Sequence, residues 1–412
     1  MAARHITSTP DVSDPSHFAN DTWRDDFAQL RREGGVHFHP DSANGPYWSI
    51  TSHPLIKQVD ANHTDFSSAA GGISIADRPA KSGEQLGTIQ NFIAMDPPRH
   101  EQQRATVSSS TAPSNLANLE PLIRERVVDI LDQLPVGETF DWVDRVSIEL
   151  TCRMLATLFD FPYEDRRKLV YWSDMTTQVP QVTGDTSMDM AKRREALMDC
   201  ATTFQALWQQ RAAEPPKFDL ISMLAHGAAT KEMASNAPLF LGNILLLLVG
   251  GNDTTRNSIS GGVLAMNEFP DQFQKLRQQP DLIPNAVAEI IRWQTPVIHM
   301  RRTANRDVQV GDSTIPAGAK VVMWYLSGNR DERVYDDPER LIIDRHNARS
   351  HLAFGFGIHR CMGNRLAEMQ LRVLWEEIVQ RFTLIEQVDE VTRVSNNLIR
   401  GIRSLPVRIH RV

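Results

Sequence analysis

The residues with the most chemistry in them stand in HLAFGFGIHRCMGNRLAEMQLR, which begins at His351. Gly355, Gly357 and Gly363 flank Cys361, and helix-spaced apolar residues follow at Leu366, Met369, Val373, Leu374 and Ile378. A cysteine at a helix N-terminus has its thiolate favoured by the helix dipole and by free backbone N–H groups. Glycines ahead of it let the backbone turn tightly and approach something large and flat. Zinc would need three or four ligands at close spacing, and only His351 and His359 are near. Nucleophilic catalysis is open to a thiolate, but it leaves the Gly-aromatic-Gly spacing without a use.

Three further stretches carry unusual polarity. In LLLLVGGNDTTRNS, Leu245 to Ser258, an apolar run meets Gly250, Gly251, Asn252, Asp253 and Thr254, and helical spacing then resumes at Ile259. Taken alone, this is a glycine-weakened buried helix whose hydroxyls bond back to the preceding turn. In EIIR, Glu289 and Arg292 share a helix face, so both heads can reach a third group. Taken alone, they are a solvated ion pair. In DPPRHEQQR, from Asp96, His100 and Arg104 are four apart and again share a face.

The elements that must position these groups are mostly helical. Apolar spacing predicts helices over 114–134, 141–158, 186–213, 236–268, 281–294 and 363–382. Strand-like pieces are 46–52, 308–318 (a hairpin turning at Gly311-Asp312), 320–327 and the tail from Ser404. The β-rich portion therefore falls near 46–60, 297–327 and 383–412, and the helical portion at 97–295 and 363–382. Residues 67–95 read as a long loop of the lid or binding kind. No linker or repeat interrupts the chain, so 1–412 is taken as one unit.

With 412 residues, 41% hydrophobic and 23% charged, the composition is ordinary and the chain can bury a sizeable core. A net charge of -7 without a lysine-rich run argues against nucleic acid as a partner. The N-terminus lacks the apolar core of a signal peptide. The greasiest run, Leu239 to Val249, contains Gly242 and Asn243 and falls short of the roughly 20 apolar residues of a membrane span. A cytoplasmic chain is expected. Cys152 and Cys200 read as small buried hydrophobes, and three cysteines make no disulfide framework.

A single thiolate with open space opposite is what a haem iron takes in oxygen-activating enzymes. The pattern F-G-x-G-x-H-x-C-x-G, Phe354 to Gly363, resembles the haem-ligand signature of the cytochrome P450 monooxygenases, with every fixed position present. E-x-x-R, followed by Pro338-Glu339-Arg340, resembles that family's buried Glu–Arg–Arg network, with Arg340 or Arg345 as third member. The resemblance runs from Trp48 to the tail. It implies a mainly α fold with small β-sheets, the cytochrome P450 fold, with haem b (protoporphyrin IX iron) between the long distal helix and the proximal cysteine loop.

In that likeness Cys361 is the axial ligand, with Phe354, Gly355 and Gly363 shaping its loop. His100, Arg104, Arg302 (adjacent to Arg301) and His359 match the positions that hold the propionates. Gly250 and Gly251 make room for dioxygen and substrate, Thr254 holds a hydrogen bond and a water there, and Asp253 relays protons. The chain has no flavin or iron–sulfur motif. The resemblance therefore implies a 2Fe-2S ferredoxin with an NAD(P)H-dependent reductase, docking near Arg360, Arg365 and Arg372, and a monomer of the soluble bacterial type.

Family position places Phe92, Ile93, Leu246, Val249, Gly250, Val297, Ile298, Met300, Leu398 and Ile399 around the substrate. Almost all are apolar, which suits a hydrocarbon-like substrate. The wording of LLLLVGGNDTTRNS, VVMWYLSGNRDE and the cysteine loop is similar to the bacterial alkane terminal-hydroxylase subfamily. Its members oxidise the terminal carbon of medium-chain alkanes and, in some cases, fatty acids. Two alternatives stay open: hydroxylation of a terpenoid or aromatic molecule, and a haem-thiolate sensor or electron carrier without turnover.

Overall fold

The computed structural model describes residues 9–77 and 90–412; of the expected loop at 67–95, residues 78–89 lie outside the described part. Helices dominate around one 32-residue member, Ala237–Glu268, here called the central helix. The Asn236 side chain caps it by accepting from the Leu239 N–H, and Pro270 opens the next helix directly after it. By length and composition alone this helix could cross a membrane. Most of its residues are instead buried against Glu149–Phe159, Arg167–Thr177 and Ile283–Gln294, as in a core helix. The expected helix at 186–213 is Met190–Ala213, started by Asp189, whose carboxylate accepts from the N–H groups of Ala191 and Lys192. The expected helix at 141–158 divides into a strand end at Asp141, a π-helical turn Val143–Ile148 and the α-helix Glu149–Phe159.

The principal sheet has five strands in the order Val36–His39, Tyr47–Ile50, Lys320–Met323, Met300–Ala304, Phe66–Ser67. The expected strand 320–327 stops at Met323. Its neighbours on both sides end there, and the pairing closes with single bonds from Trp324 N–H to the Ile50 carbonyl (2.9 Å) and from Leu326 N–H to the Ile298 carbonyl (3.2 Å). The next residues satisfy their backbone locally in a helical turn, Tyr325–Gly328, with Gly328 N–H donating to the Trp324 carbonyl at 3.0 Å. The β-rich portion also ends sooner than expected, because His53–Ala61 is a helix opened by Pro54. The hairpin holds: Val308–Val310 pairs with Ser313–Ile315 and Gly311 takes φ +55°. The tail strand Pro406–Arg411 lies between Thr139–Asp141 and Phe382–Gln387.

Two large apolar clusters meet the central helix. One joins its C-terminal half to Ile283–Gln294 and to Asn364–Arg381. The other joins its N-terminal half to Arg167–Thr177 and Met190–Ala213. Between them the helix keeps a short stretch, Leu246 to Thr254, that is only partly covered.

Candidate active site

The cysteine loop is built by its glycines and by one carboxylate. Gly355 and Gly357 have φ +67° and +68°, and a Cβ on Gly357 would collide with the Asp60 carbonyl oxygen. Asp60 is buried at the end of His53–Ala61 and accepts from the Tyr325 hydroxyl (2.7 Å), the Phe356 N–H (2.8 Å) and Arg302 (2.7 Å). Sequence reasoning missed it, since nothing local separates it from a surface helix acid. Cys361 N–H donates to the Phe354 carbonyl at 2.8 Å, and the helix Asn364–Arg381 begins three residues later.

Burial pushes the Cys361 thiol up, while the N–H groups of Gly363 and Asn364 and the charges of Arg104 and Arg360 pull it back. Protein surrounds Cys361 on the larger scale, yet its side chain is left uncovered, so it faces open space within the fold. A Cβ on Gly363 would meet nothing within 4 Å.

On the distal side Leu246, Val249, Gly250 and Thr254, spaced along one helix face, are incompletely covered while most neighbours are buried. A Cβ on Gly250 would meet nothing within 4 Å, whereas one on Gly251 would press on Leu155 at 2.7 Å. Gly250 therefore opens to the cavity and Gly251 serves helix packing, a correction to the paired role expected for them. The Thr254 hydroxyl donates to the Gly250 carbonyl at 2.9 Å, the back-bond an ordinary threonine makes.

Asp253 turns toward Arg167–Thr177. One of its oxygens accepts from Asn252 (2.8 Å), Arg256 (3.0 Å) and Ser173 (3.2 Å), and Arg256 also binds Asp174 at 2.9 Å. Burial pushes the Asp253 carboxyl up to about 6 against the pull of Arg256. Asn243, a polar break in the apolar run, accepts the Phe92 N–H at 3.0 Å and so fastens the short turn Phe92–Ala94 to the central helix.

The predicted anion-binding residues are a cluster in want of an anion. His100 is buried with both ring nitrogens unpartnered. Its ring centroid lies 4.2 Å from that of His359, whose Nδ1 is also unpartnered and whose Nε2 meets the Ser68 hydroxyl at 3.1 Å. Arg104 donates to the Arg360 carbonyl at 2.6 Å. Burial, then Arg302, His100 and Arg104, push His359 down to about 2. Arg302 stands beside the same cluster, depressing both His100 and His359, and two of its donors go to Asp60 (2.7 Å) and to the Arg301 carbonyl (2.8 Å). Arg301 itself pairs with Asp77 at 2.8 Å. A flat apolar group bearing two carboxylates and an iron suits this set: a thiol on the cavity, open space at Gly250 and Gly363, and orphaned basic nitrogens. The residues present fit haem.

The E-x-x-R pair is fully buried. Arg292 holds Glu289 at 2.7 and 2.8 Å, and Arg345 holds it at 3.0 Å. Arg345 is thus the third member, and Arg340 is not: its guanidinium reaches Asp271 at the surface, and only its carbonyl joins, accepting from Arg292 and Arg345. Arg292 also donates to the carbonyls of Asn329 (2.7 Å) and Pro338 (2.8 Å), tying the helix to the segment that leads into the cysteine loop.

Of the expected pocket residues, Ile93, Leu246, Val249, Val297, Met300 and Leu398 are partly open like Gly250. Phe92 and Ile399 are buried, and Val297 and Ile399 are bridged. Ile298 is a correction: it is fully buried and packs into the N-terminal core with Trp23 and Trp324, so it is not free to meet a substrate.

The family model described as Cytochrome P450 matches residues 20–408. The chain is 35% identical to a linalool 8-monooxygenase of Pseudomonas putida over 97% of this chain and 98% of that protein. It is 30% identical to a methyl-branched lipid omega-hydroxylase of Mycobacterium tuberculosis, over 92% and 90%. Among solved structures, cytochrome P450-153 from Novosphingobium aromaticivorans superposes with a TM-score of 0.90 at 44% identity, covering 97% of this chain and 99% of that one. A cysteine on an internal cavity, an orphaned basic cluster beside it and a match along nearly the whole length make this chain a member of the cytochrome P450 family, the haem-binding monooxygenases.

Proposed function

We propose that this monooxygenase hydroxylates the terminal carbon of linear aliphatic chains, medium-chain n-alkanes or fatty acids. The carrying observation is the apolar character of the part-open positions that the family likeness places around the substrate: Ile93, Leu246, Val249, Val297, Met300 and Leu398 are incompletely covered, as Gly250 is, and none is charged. Such a surface takes a hydrocarbon and orients it by shape rather than by polar contacts. The segment resemblance to alkane terminal hydroxylases and the relative named as an omega-hydroxylase support the same reading.

Haem held by a cysteine thiolate supplies the activation of dioxygen for C–H hydroxylation when bound. In this reading Cys361 is that ligand, and the N–H groups of Gly363 and Asn364 temper its charge. His100, Arg104, Arg302 and His359 would hold the propionates, the arginines by charge and the imidazoles by hydrogen bonds. Thr254 is part-open on the same helix face as Gly250, and its hydroxyl, bonded here to the Gly250 carbonyl, would turn to hold a water there. Asp253, with a carboxyl pushed up to about 6, can both hold and release a proton near neutral pH, and Arg256 links it to the half-exposed Asp174.

Electrons come from NAD(P)H through a 2Fe-2S ferredoxin and its reductase. Arg360 and Arg365 are exposed beside the cysteine loop and suit an acidic partner. Arg372 is already held by Glu120 and Glu376, both at 2.7 Å, and drops out of that surface.

Terpenoid hydroxylation is the second reading, favoured by the similarity to a linalool 8-monooxygenase. Product analysis with n-octane, n-decane, lauric acid and linalool separates the two. Terminal alcohols from the linear chains are expected. Exclusively internal alcohols, or turnover of linalool alone, would overturn the first reading.

A further inference from the structure

One buried histidine stands outside all the roles above. His299 sits between Ile298 in the core and Met300 at the cavity, with its ring 5.1 Å from that of Trp324. It is completely buried, and both nitrogens are used. Nδ1 meets the Asn397 carbonyl at 2.8 Å and Nε2 meets the Ile75 N–H at 3.0 Å. A carbonyl only accepts and an amide N–H only donates, so the ring is neutral with its proton on Nδ1. Burial pushes its pKa down to about 4 and keeps it so.

The contacts continue beyond the ring. Asn397 N–H donates to the Val182 carbonyl at 3.0 Å, and its side-chain amide donates to the Ser13 carbonyl at 2.9 Å. Next to it, Asn396 Oδ1 accepts from the N–H groups of Leu398 (2.8 Å) and Ile399 (2.7 Å), which shapes the turn that presents Leu398. The Ser395 hydroxyl donates to the Thr183 carbonyl at 2.8 Å.

A single hydrogen-bonded line, Ile75–His299–Asn397–Val182, therefore joins four separate stretches. Ile75 lies in the stretch after the strand Phe66–Ser67, which is described as far as Asp77. Val182 lies in the connection between Arg167–Thr177, whose Ser173 touches Asp253, and Met190–Ala213. His299 and Asn397 belong to the two segments that carry Met300 and Leu398.

We infer that His299 is a positioning residue: its two ring nitrogens clip the 66–77 segment and, through Asn397, the 178–184 connection onto the walls that carry Met300 and Leu398, and so set the width of the substrate cavity. The inference rests on reading that cavity as the substrate site. A phenyl ring would fill the same space against Trp324 but make neither bond, whereas glutamine keeps one donor and one acceptor.

The test uses the haem-loaded protein. His299→Phe should bind the aliphatic panel about tenfold more weakly in spin-shift titrations, the scale of two lost hydrogen bonds. KM should rise with kcat little changed, and proteolysis within 66–77 and 178–189 should quicken. His299→Gln should recover most of each. A folded His299→Phe with unchanged affinity and unchanged proteolysis overturns the inference.

Hydrogen exchange on the unaltered protein decides independently, even if His299→Phe fails to fold. The amides of Ile75 and Asn397 should open with the same free energy and slow together when an apolar ligand binds. Unequal opening overturns the clip. If no panel compound shifts the spin state of the unaltered protein, the substrate reading fails, while the exchange result still judges the clip.

Discussion

Two buried clusters of charge lie within this fold, and their hydrogen bonds set them apart. Around Glu289 every strong acceptor is used: Arg292 takes both oxygens, and Arg345 and the Ile342 N–H (3.0 Å) share one of them. The spare guanidinium donors end on the carbonyls of Asn329, Pro338 and Asp337. Around His100 and His359 the reverse holds, with three ring nitrogens unpartnered inside the protein and basic groups depressing one another. A saturated buried network is a structural device, because each charge has been compensated within the chain. An unsaturated one is a receptor, because the missing partner must arrive from outside. The same residue types thus read as structure in one place and as a binding site in the other.

Breaking the saturated cluster should have the largest effect. Glu289→Gln leaves two buried guanidiniums short of a counter-charge and should cost about 3–5 kcal/mol, seen as failure to accumulate folded protein or as a collapsed melting temperature. Arg345→Ala should behave alike. Wild-type stability in either variant would mean the network is not the fold's anchor.

Asp253 stands between the two extremes, bonded on one oxygen and burdened by burial. Its folded-state pKa of about 6 exceeds the ordinary 3.8, so the folded form holds its proton more tightly than the unfolded chain. Ionisation of Asp253 therefore erodes stability as pH rises from about 4 through about 6. Against Asp253→Asn, the unaltered protein should lose about 2 kcal/mol over that window, measured by denaturant melts at pH 4 and pH 7. Parallel pH profiles would remove Asp253 as a strained acid.

Relieving the unsaturated cluster should give effects of opposite sign. His100→Leu deletes two orphaned nitrogens, so the haem-free protein should gain about 1 kcal/mol. Haem should meanwhile dissociate about tenfold faster, followed by transfer to an acceptor globin. Loss of apoprotein stability with unchanged haem release would place His100 among structural residues. The smallest effect belongs to Arg340→Ala: it loses a surface ion pair with Asp271 and a cation–π contact over Phe269, together worth under about 1 kcal/mol in a thermal melt. A cost comparable to that of Arg345→Ala would reassign the third member of the network.

What could be read from the sequence alone were the features that depend on near neighbours along the chain. Helix periodicity located the central helix and the face shared by Glu289 and Arg292, and the glycines around Cys361 announced a tight loop before a helix. Even the polar flaw in the apolar run was legible as a site, since glycines and an acid are costly in a buried helix. Partner choice was not legible. Arg340 and Arg345 differ by five positions in an irregular stretch, and only packing turned one inward and the other to solvent.

Asp60 became the anchor of the cysteine loop across nearly 300 residues, and it also accepts from Arg302. Gly250 and Gly251 looked equivalent until Leu155 arrived against one of them. Local spacing is set by backbone geometry, which the chain carries with it. Which buried charge finds which partner depends on desolvation and distance between remote segments, and those exist only once the tertiary structure has formed.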